Sequence, residues 1–421
     1  MLVELSVTNY RSVRKTQTLS LVASSGRERL HDNSFLPEAS STPRLLRSGV
    51  VFGPNAAGKS NLVLALHFVK EFVRTSASSM QRGDPTGVSP FRLDSATANE
   101  PSEFEIVFVE QGVRYQYGFA ATAERIYEEW LYAYPGNRSQ RWFVRSLNAE
   151  QGTEEWYFGP ALKGQKQVLR DATRPNALFL STAVQLNNQQ LQPVFDWFKE
   201  RLVVVPAHGQ IPYEYENYTA ARCKDERDRQ RVLSFLQAAD LGIDCLSVKV
   251  RQFTEDDFPS ELPEKIREQL LGSEKLQLGF QHEQHKTGKL ISFDIQEESD
   301  GTRSMFALAG PWLDVLDRGV VLVMDEIDTS LHPKLVRYLV GMFHTEDTNP
   351  NNAQLVCTTH DVTLLEGVLR RDQIWFVEKG AEQQSTLYPL SDFRPRKGEA
   401  IERGYLKGRY GALPTLRRMN G

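Results

Sequence analysis

Apolar and polar positions along the chain change period several times, and each change marks an element. Val3, Leu5 and Val7 alternate with polar neighbours, the two-residue period of a half-buried strand. A polar stretch of about 25 residues containing Ser and Pro follows and predicts a loop. Val50 to Phe52 reads as a short buried strand that runs into a turn of small residues, and Asn61 to Arg74 then carries the 3.6-residue period of a helix. From Ser102 to Phe158 the runs FEIVFV, VRYQYGFA, RIYEEWLYAY, RWFVRSL and EWYFG alternate, with Gln111-Gly112 and Pro135-Gly136-Asn137 between some of them. Turn residues between alternating runs predict an antiparallel meander. Gln190 to Arg201 and Ala220 to Ala239 read as helices, and neither sustains heptads long enough for a coiled-coil arm. KLQLGFQHEQ and KLISFDIQEE, joined by Lys286-Thr287-Gly288, predict a hairpin, after which the polar cluster ESDGTRS precedes another apolar helical pattern. Gly319 to Met324 is a continuous apolar run, the mark of a strand buried on both faces. The class expected is α/β, with an antiparallel β lobe and a helical insertion.

Composition adds exclusions. With 421 residues, 40% hydrophobic and 25% charged, the chain can bury a large core in two or three lobes. A formal net charge of -4 argues against binding nucleic acid through overall charge and leaves room for a local basic patch. No apolar run approaches the roughly 20 residues of a membrane span, and the start MLVELSVTNYRS resembles a strand rather than a signal peptide, so a cytoplasmic protein with no membrane partner is expected. Cys223, Cys245 and Cys357 are scattered and lack metal-ligand spacing, which suits a reducing compartment.

The turn after Phe52 is Gly53-Pro54-Asn55-Ala56-Ala57-Gly58-Lys59-Ser60, followed by Asn61, and it matches G-x-x-x-x-G-K-[ST]. Small residues let the backbone curl so that successive N–H groups face phosphates, and the following helix adds its N-terminal dipole. Lys59 would reach the β- and γ-phosphates of ATP, and Ser60 would offer a hydroxyl to Mg²⁺. The apolar strand ending at Asp325-Glu326 would supply the other half of the site. Asp325 would hold the magnesium, and Glu326 would polarise the attacking water.

Spacing separates classes of nucleotide hydrolase. Lys59 and Asp325 are 266 positions apart (325 minus 59), a gap that small GTPases and nucleotide kinases do not carry. Ile327-Asp328 follows the acids, then Ser330-Leu331-His332-Pro333, and Cys357-Thr358-Thr359-His360 ends 34 positions after Glu326 (360 minus 326). Glu298-Ser299-Asp300-Gly301-Thr302-Arg303 lies upstream. In this order the chain resembles an ABC-type ATPase head of the soluble SMC, RecF and OLD kind. The resemblance implies that Ser299 and Gly301 form the signature gripping a γ-phosphate bound to the other protomer, within an ATP-dependent homodimer or larger homo-oligomer. It implies that His360 is the switch histidine, that Asp328 meets the partner's phosphate loop, and that Arg11 of Asn9-Tyr10-Arg11-Ser12 lies near nucleotide. The signature departs from the family's Leu-Ser-Gly-Gly pattern, and an ordinary helix cap is the competing reading of Ser299. No Q-loop glutamine is assignable.

Other features are weaker. His282 and His285 sit in the expected hairpin without a third metal ligand. Phe393 to Gly421 carries eight basic and two acidic residues, a net +6, interleaved with Tyr405 and Tyr410. A solvated tail and a contact with nucleic acid, a partner or the dimer seam both fit that pattern. The stretch Gly-Tyr-Leu-Lys-Gly-Arg-Tyr-Gly-Ala-Leu-Pro, with Ala238 to Ile243 and the Glu-Ser-Asp-Gly-Thr-Arg cluster, resembles the RloA/AbiLi group of phage-defence ATPases. That resemblance implies a separate effector protein, such as an RloB/AbiLii-like partner. Only 61 residues follow His360 (421 minus 360), too few for the Toprim nuclease that OLD proteins append, so toxic action is expected from another polypeptide. A RecF-like DNA-repair ATPase that binds duplex DNA directly is the alternative. The expected segments are 1–75 with the phosphate loop, 76–180 as the β lobe, 181–275 as the insertion, 276–390 with the remaining motifs, and 391–421 as the tail.

Overall fold

The computed structural model describes residues 1–40, 42–148, 150–206, 213–258, 263–396 and 398–414. The chain sorts into two compact units, one of Met1–Ala207, Val315–Asp328 and Leu339–Gly421, the other of His208–Asp314 and Thr329–Tyr338.

The first unit begins with β1 (Leu2–Thr8), which buries Leu2, Leu5 and Val7 as the alternation predicts. The stretch expected as a plain loop contains β2 (Gln17–Ser20), antiparallel to β1, and the short pair β3 (Ser34–Phe35) and β4 (Leu45–Leu46). Two-residue strands are too short to show a period, so pattern reading misses them. Strand β5 (Ser48–Phe52) is buried throughout and feeds α1 (Lys59–Thr75). Leu62, Val63, Leu66, Val69, Phe72 and Val73 recur on the buried face of α1, each worth about 1.5–3 kcal/mol relative to exposure. Beyond the end of α1, Arg174 donates to the carbonyls of Ser76 and Ala77 at 2.9 and 3.0 Å, a cation where the helix dipole is negative.

The meander is β6 (Ser102–Glu110), β7 (Val113–Ala121), β8 (Ile126–Tyr134), β9 (Gln140–Asn148) and β10 (Thr153–Phe158). With β1 and β2 it forms a seven-stranded antiparallel sheet in the order β10-β9-β8-β7-β6-β1-β2. Phe68 and Phe72 of α1 meet Phe104 and Phe119 of this sheet at ring distances of 5.2 and 5.5 Å. Short helices α2 (Lys166–Ala172), α3 (Phe179–Gln185) and α4 (Gln192–Asp196) follow, with a wider turn over Trp197–Arg201 and then β11 (Leu202–Val205). Glu129 of β8 is fully buried and accepts from the N–H groups of Phe179 and Leu180 at 2.6 and 3.0 Å and from the Tyr117 hydroxyl at 3.0 Å. It satisfies donors that the start of α3 leaves open, and burial pushes its carboxyl above the usual range.

In the second unit the single helix expected over 220–239 is two, α5 (Tyr213–Arg222) and α6 (Glu226–Ala238). Asp225 causes the break, because its side chain accepts the Asp228 N–H at 3.0 Å and so starts a new helix. The expected hairpin is the pair β13 (Glu274–Glu283) and β14 (Leu290–Phe293), and β12 (Cys245–Gln252) adds a third antiparallel strand that the sequence reading missed. Between β12 and β13 runs the short helix Glu264–Leu270, α7. Helix α8 (Asp300–Arg318) approaches α5 so closely that Gly310 donates its N–H to Thr219 Oγ1 at 3.0 Å.

The chain then returns to the first unit with β15 (Val321–Met324), passes back through the second with most of α9 (Pro333–Gly341), and completes the first with β16 (Gln354–Thr359), β17 (Ile374–Lys379), β18 (Ser385–Pro389) and α10 (Ile401–Leu406). The second sheet has the order β11-β15-β16-β5-β17-β18, parallel except for β18. Helix α1 contacts β11 of this sheet while its phenylalanines touch the antiparallel one, so it forms a shared core between them. Gln354 reinforces that junction: its side chain accepts the Leu2 N–H at 2.6 Å and donates to the carbonyls of Leu2 and Leu46, both at 3.0 Å. The fold is α/β, a P-loop sheet with an antiparallel β lobe and an inserted unit. Among the described residues, no helix is long and apolar enough to cross a membrane.

Candidate functional site

Three neighbouring strands of the parallel sheet, β15, β16 and β5, end at the same edge, where backbone ends converge at the crevice typical of open α/β sheets. β5 delivers the loop Gly53 to Ser60, in which Ala56 and Gly58 hold left-handed backbone with φ of 60° and 108°. Helix α1 starts at Lys59, so its first N–H groups have no intrahelical acceptor and form an anion site.

Lys59 is only 5% exposed. Its ammonium donates to the carbonyls of Gly53 and Pro54 at 2.9 and 3.2 Å and lies 3.0 Å from His360 Nε2. Because an ammonium only donates, the imidazole accepts through Nε2 as a neutral ring. Burial lowers the Lys59 pKa, and the carboxylates of Glu326, Asp325 and Asp328 act the other way. All three hydrogen-bond partners are neutral, so the cation is held in place without being neutralised at contact. A phosphate fits there.

Asp325 and Glu326 leave the end of β15. Thr358 of β16 donates its hydroxyl to Asp325 Oδ1 at 2.5 Å and accepts the Glu326 N–H at 2.8 Å. Glu326 takes left-handed backbone, φ 50°, a strained conformation for a non-glycine residue. Asp328 accepts the His360 N–H, with its two oxygens at 3.4 and 3.2 Å. A buried carboxylate and the Ser60 hydroxyl are the oxygen donors that magnesium prefers, so the donor set fits that ion.

One more group supports the loop from behind. Ser385 of β18 donates its hydroxyl to the Ala57 carbonyl at 2.6 Å, and Asn61 donates its amide to Ser12 Oγ at 2.6 Å. Asn61 therefore spends one donor inside the protein. A pocket of about 720 Å³ opens beside the loop, with Gly53, Asn55 and His360 on one side and Tyr405 and Leu413 on another.

The first unit thus brings together Gly53, Asn55, Ala56, Ala57, Gly58, Lys59, Ser60, Asn61, Asp325, Glu326, Asp328 and His360. Arg11 is exposed and donates to its neighbour Tyr10, and Ser12 beside it is the residue that reaches the loop. Ser299 and Gly301 belong to the second unit. Ser299 Oγ accepts the Thr302 N–H at 3.1 Å at the start of α8, so the helix-cap reading is realised in this structure. The tail is folded from 398 to 414: Tyr405 stacks on Phe376 at 5.2 Å, and Ala412 donates its N–H to Glu378 at 3.2 Å. Lys397, Arg417 and Arg418 lie outside the described residues. His282 hydrogen-bonds Glu298 at 2.7 Å, a pairing that raises the histidine's pKa. Sequence reasoning missed Thr358 and Ser385 as parts of the site, since a hydroxyl on a strand carries no motif.

Residues 50–366, well over half of the chain, match the family described as "AAA domain, putative AbiEii toxin, Type IV TA system". The chain belongs to this AAA-domain family. Among solved structures, the AAA-domain chain is similar to an SMC head bound to the C-winged helix domain of ScpA, at 13% identity over 94% of this chain and 99% of that one, with a TM-score of 0.39. The SMC head domain from Thermotoga maritima gives 12% identity, 92% and 98% coverage and a TM-score of 0.41. RecF with ATP, the recombination mediator of the RecFOR pathway, gives 13%, 92% and 99%, and 0.36. No curated protein matches the chain.

Proposed function

We propose that this AAA-domain protein is an ABC-type MgATP-binding and hydrolysing switch of a bacterial anti-phage system, acting by abortive infection through a separate effector protein. The observation that carries the ATPase reading is the buried Lys59 ammonium, held by neutral acceptors within the phosphate loop and beside His360. Backbone N–H groups of the loop and the start of α1 bind the phosphates, and Lys59 adds the charge that they attract. Ser60 and Asp325 would hold Mg²⁺, which would supply charge neutralisation to the phosphate oxygens. Glu326 orients and polarises the attacking water, and His360 reports the γ-phosphate to Asp328 through its own backbone N–H. Two copies sandwich the nucleotide, Ser299 and Gly301 of one facing Lys59 of the other, with Asp328 at the seam. The defence role is supported by the AbiEii-type family and by the resemblance of the tail to the RloA/AbiLi group.

The outer face of the antiparallel sheet favours a protein partner over duplex DNA as the regulated target. Glu103, Glu105 and Glu128 line a trough of about 500 Å³ there with Trp130, Tyr132 and Tyr134. Three carboxyl groups lining one trough give this face a local acidic character. A phosphate backbone is repelled by it.

Affinity capture of tagged Glu326→Gln from cells that keep the neighbouring genes tests this reading, because loss of the water-polarising carboxylate traps bound ATP. A stoichiometric partner with a nuclease or other toxic fold is the expected result. Recovery of DNA without a protein partner would replace the defence switch by a RecF-like repair ATPase.

A further inference from the structure

In a trans peptide the C=O and the following N–H point in opposite directions, so fixing one fixes the other. The peptide between Ala57 and Gly58 is the last before α1, and its direction decides whether the loop offers an N–H or a carbonyl to an anion. Gly58 itself supplies little restraint, because its φ of 108° is a region in which glycine is freest. A flipped peptide would aim a carbonyl at the phosphate oxygens.

The restraint comes from residues far away in sequence. Ser385 Oγ lies 2.6 Å from the Ala57 carbonyl and 2.7 Å from Ser12 Oγ. A serine hydroxyl has one proton and a carbonyl can only accept, so Ser385 shares its proton between the Ala57 carbonyl and Ser12 Oγ, with the carbonyl at the shorter distance. Ser12 in turn accepts the Asn61 amide at 2.6 Å, and the Ser385 N–H donates to the Ser12 carbonyl at 2.7 Å. Ser12 Oγ thus accepts from both Asn61 and Ser385 and anchors the Ser385 hydroxyl beside the Ala57 carbonyl. Ser385 is 5% exposed and occupies the space that a Cβ on residue 58 would need, so the glycine is required for the serine's approach as well as for its φ.

We propose that Ser385, backed by Ser12, is the peptide lock of the phosphate loop, a positioning residue that keeps the Gly58 N–H turned away from β18 and toward the bound phosphates. This deepens the nucleotide-site reading and rests on it. The lock acts on anion binding and leaves Glu326 and His360 untouched.

Titration of a fluorescent ATP analogue with Mg²⁺, alongside steady-state hydrolysis and thermal melts, tests the lock on wild type, Ser385→Ala, Ser12→Ala, the double variant and Lys59→Ala. Ser385→Ala is expected to weaken binding about tenfold, the effect of losing one hydrogen bond to a buried carbonyl, with kcat at saturation near wild type. Ser12→Ala weakens binding less, and the double variant resembles Ser385→Ala alone, because Ser12 acts on the loop only by holding Ser385 in place. Wild-type affinity in Ser385→Ala, while Lys59→Ala abolishes binding, overturns the lock and leaves the nucleotide site standing. A lower melting temperature with unchanged affinity also overturns it. Should Ser385→Ala fail to fold, wild-type affinity in Ser12→Ala decides against the lock and weakened affinity decides for it. Wild type that binds no nucleotide removes the site reading and the lock together.

Discussion

Lys59 Nζ and His360 Nε2 lie 3.0 Å apart although 301 residues separate them in the chain. The lysine comes at the start of α1 and the histidine just after β16, and the parallel pairing of β16 with β5 brings them together. Their roles separate under mutation. Lys59→Ala removes the one buried cation of the loop, and nucleotide binding should fall below detection. His360→Ala keeps the loop, so ATP affinity should stay within about threefold while kcat falls roughly a hundredfold, the size of a lost acid–base or positioning group. Parallel binding titrations and single-turnover hydrolysis distinguish the two. Unchanged turnover in His360→Ala would remove the histidine from the mechanism.

Thr358 predicts a magnesium phenotype. Its hydroxyl bridges Asp325 Oδ1 and the Glu326 N–H, so it orients a metal ligand and the water-polarising residue at once. Partners behind a metal ligand typically contribute 10–100-fold in metal affinity. Thr358→Val should therefore raise the Mg²⁺ concentration for half-maximal hydrolysis by about tenfold. Thr358→Ser, which keeps the hydroxyl, should restore it. A magnesium titration of turnover that superimposes wild type and Thr358→Val would show that Asp325 needs no such support.

The contrast between these residues explains what the sequence could show. Lys59, Asp325 and Glu326 were legible because a glycine-rich turn before a helix and an apolar run ending in acids are local patterns. The antiparallel meander was legible for the same reason, its alternation being visible within each strand. Thr358 and Ser385 act through distances that only strand order sets: β16 beside β15 places one hydroxyl, and β18 carries the other from 328 residues away to Ala57. β12 does carry a legible alternation, Leu246, Val248 and Val250 against Ser247, Lys249 and Arg251, but its pairing partner β13 follows only after an intervening helix, so no adjacent turn marks it as half of a hairpin. Asp225 was read as part of a helix, although a short acidic side chain that caps its own downstream N–H group starts one.

Ser299 separates a helix cap from a phosphate grip. Its hydroxyl caps α8 through Thr302, and Ser299→Ala should cost the second unit about 1 kcal/mol for that reason alone. Aspartate caps as well as serine, so Ser299→Asp should leave the melting temperature close to wild type. The added negative charge would nonetheless repel a γ-phosphate carried by another copy. ATP-driven association, followed by light scattering in the Glu326→Gln background, should be lost in Ser299→Asp. Normal association in that variant would confine Ser299 to capping.

His344 gives the first unit an acid-sensitive point. Its ring is buried, with Nε2 2.8 Å from Ser48 Oγ and 3.3 Å from the Gln373 amide nitrogen, under the strand that feeds the phosphate loop. Burial lowers its pKa to about 3, with the charges of Arg47 and Arg29 acting in the same direction. The unfolded chain, with an ordinary histidine pKa of about 6.5, takes up a proton first as pH falls. Stability from this group is therefore complete above about pH 6.5 and is lost progressively toward pH 3, with a slope approaching about 1.4 kcal/mol per pH unit inside that window. Urea unfolding midpoints between pH 7 and 4 should drop accordingly in wild type. His344→Gln keeps a polar partner for Ser48 but cannot titrate, so its midpoints should start lower, by the equivalent of about 1–3 kcal/mol, and fall less steeply with acid. Equal acid slopes in the two proteins would show that protonation of His344 does not drive the loss.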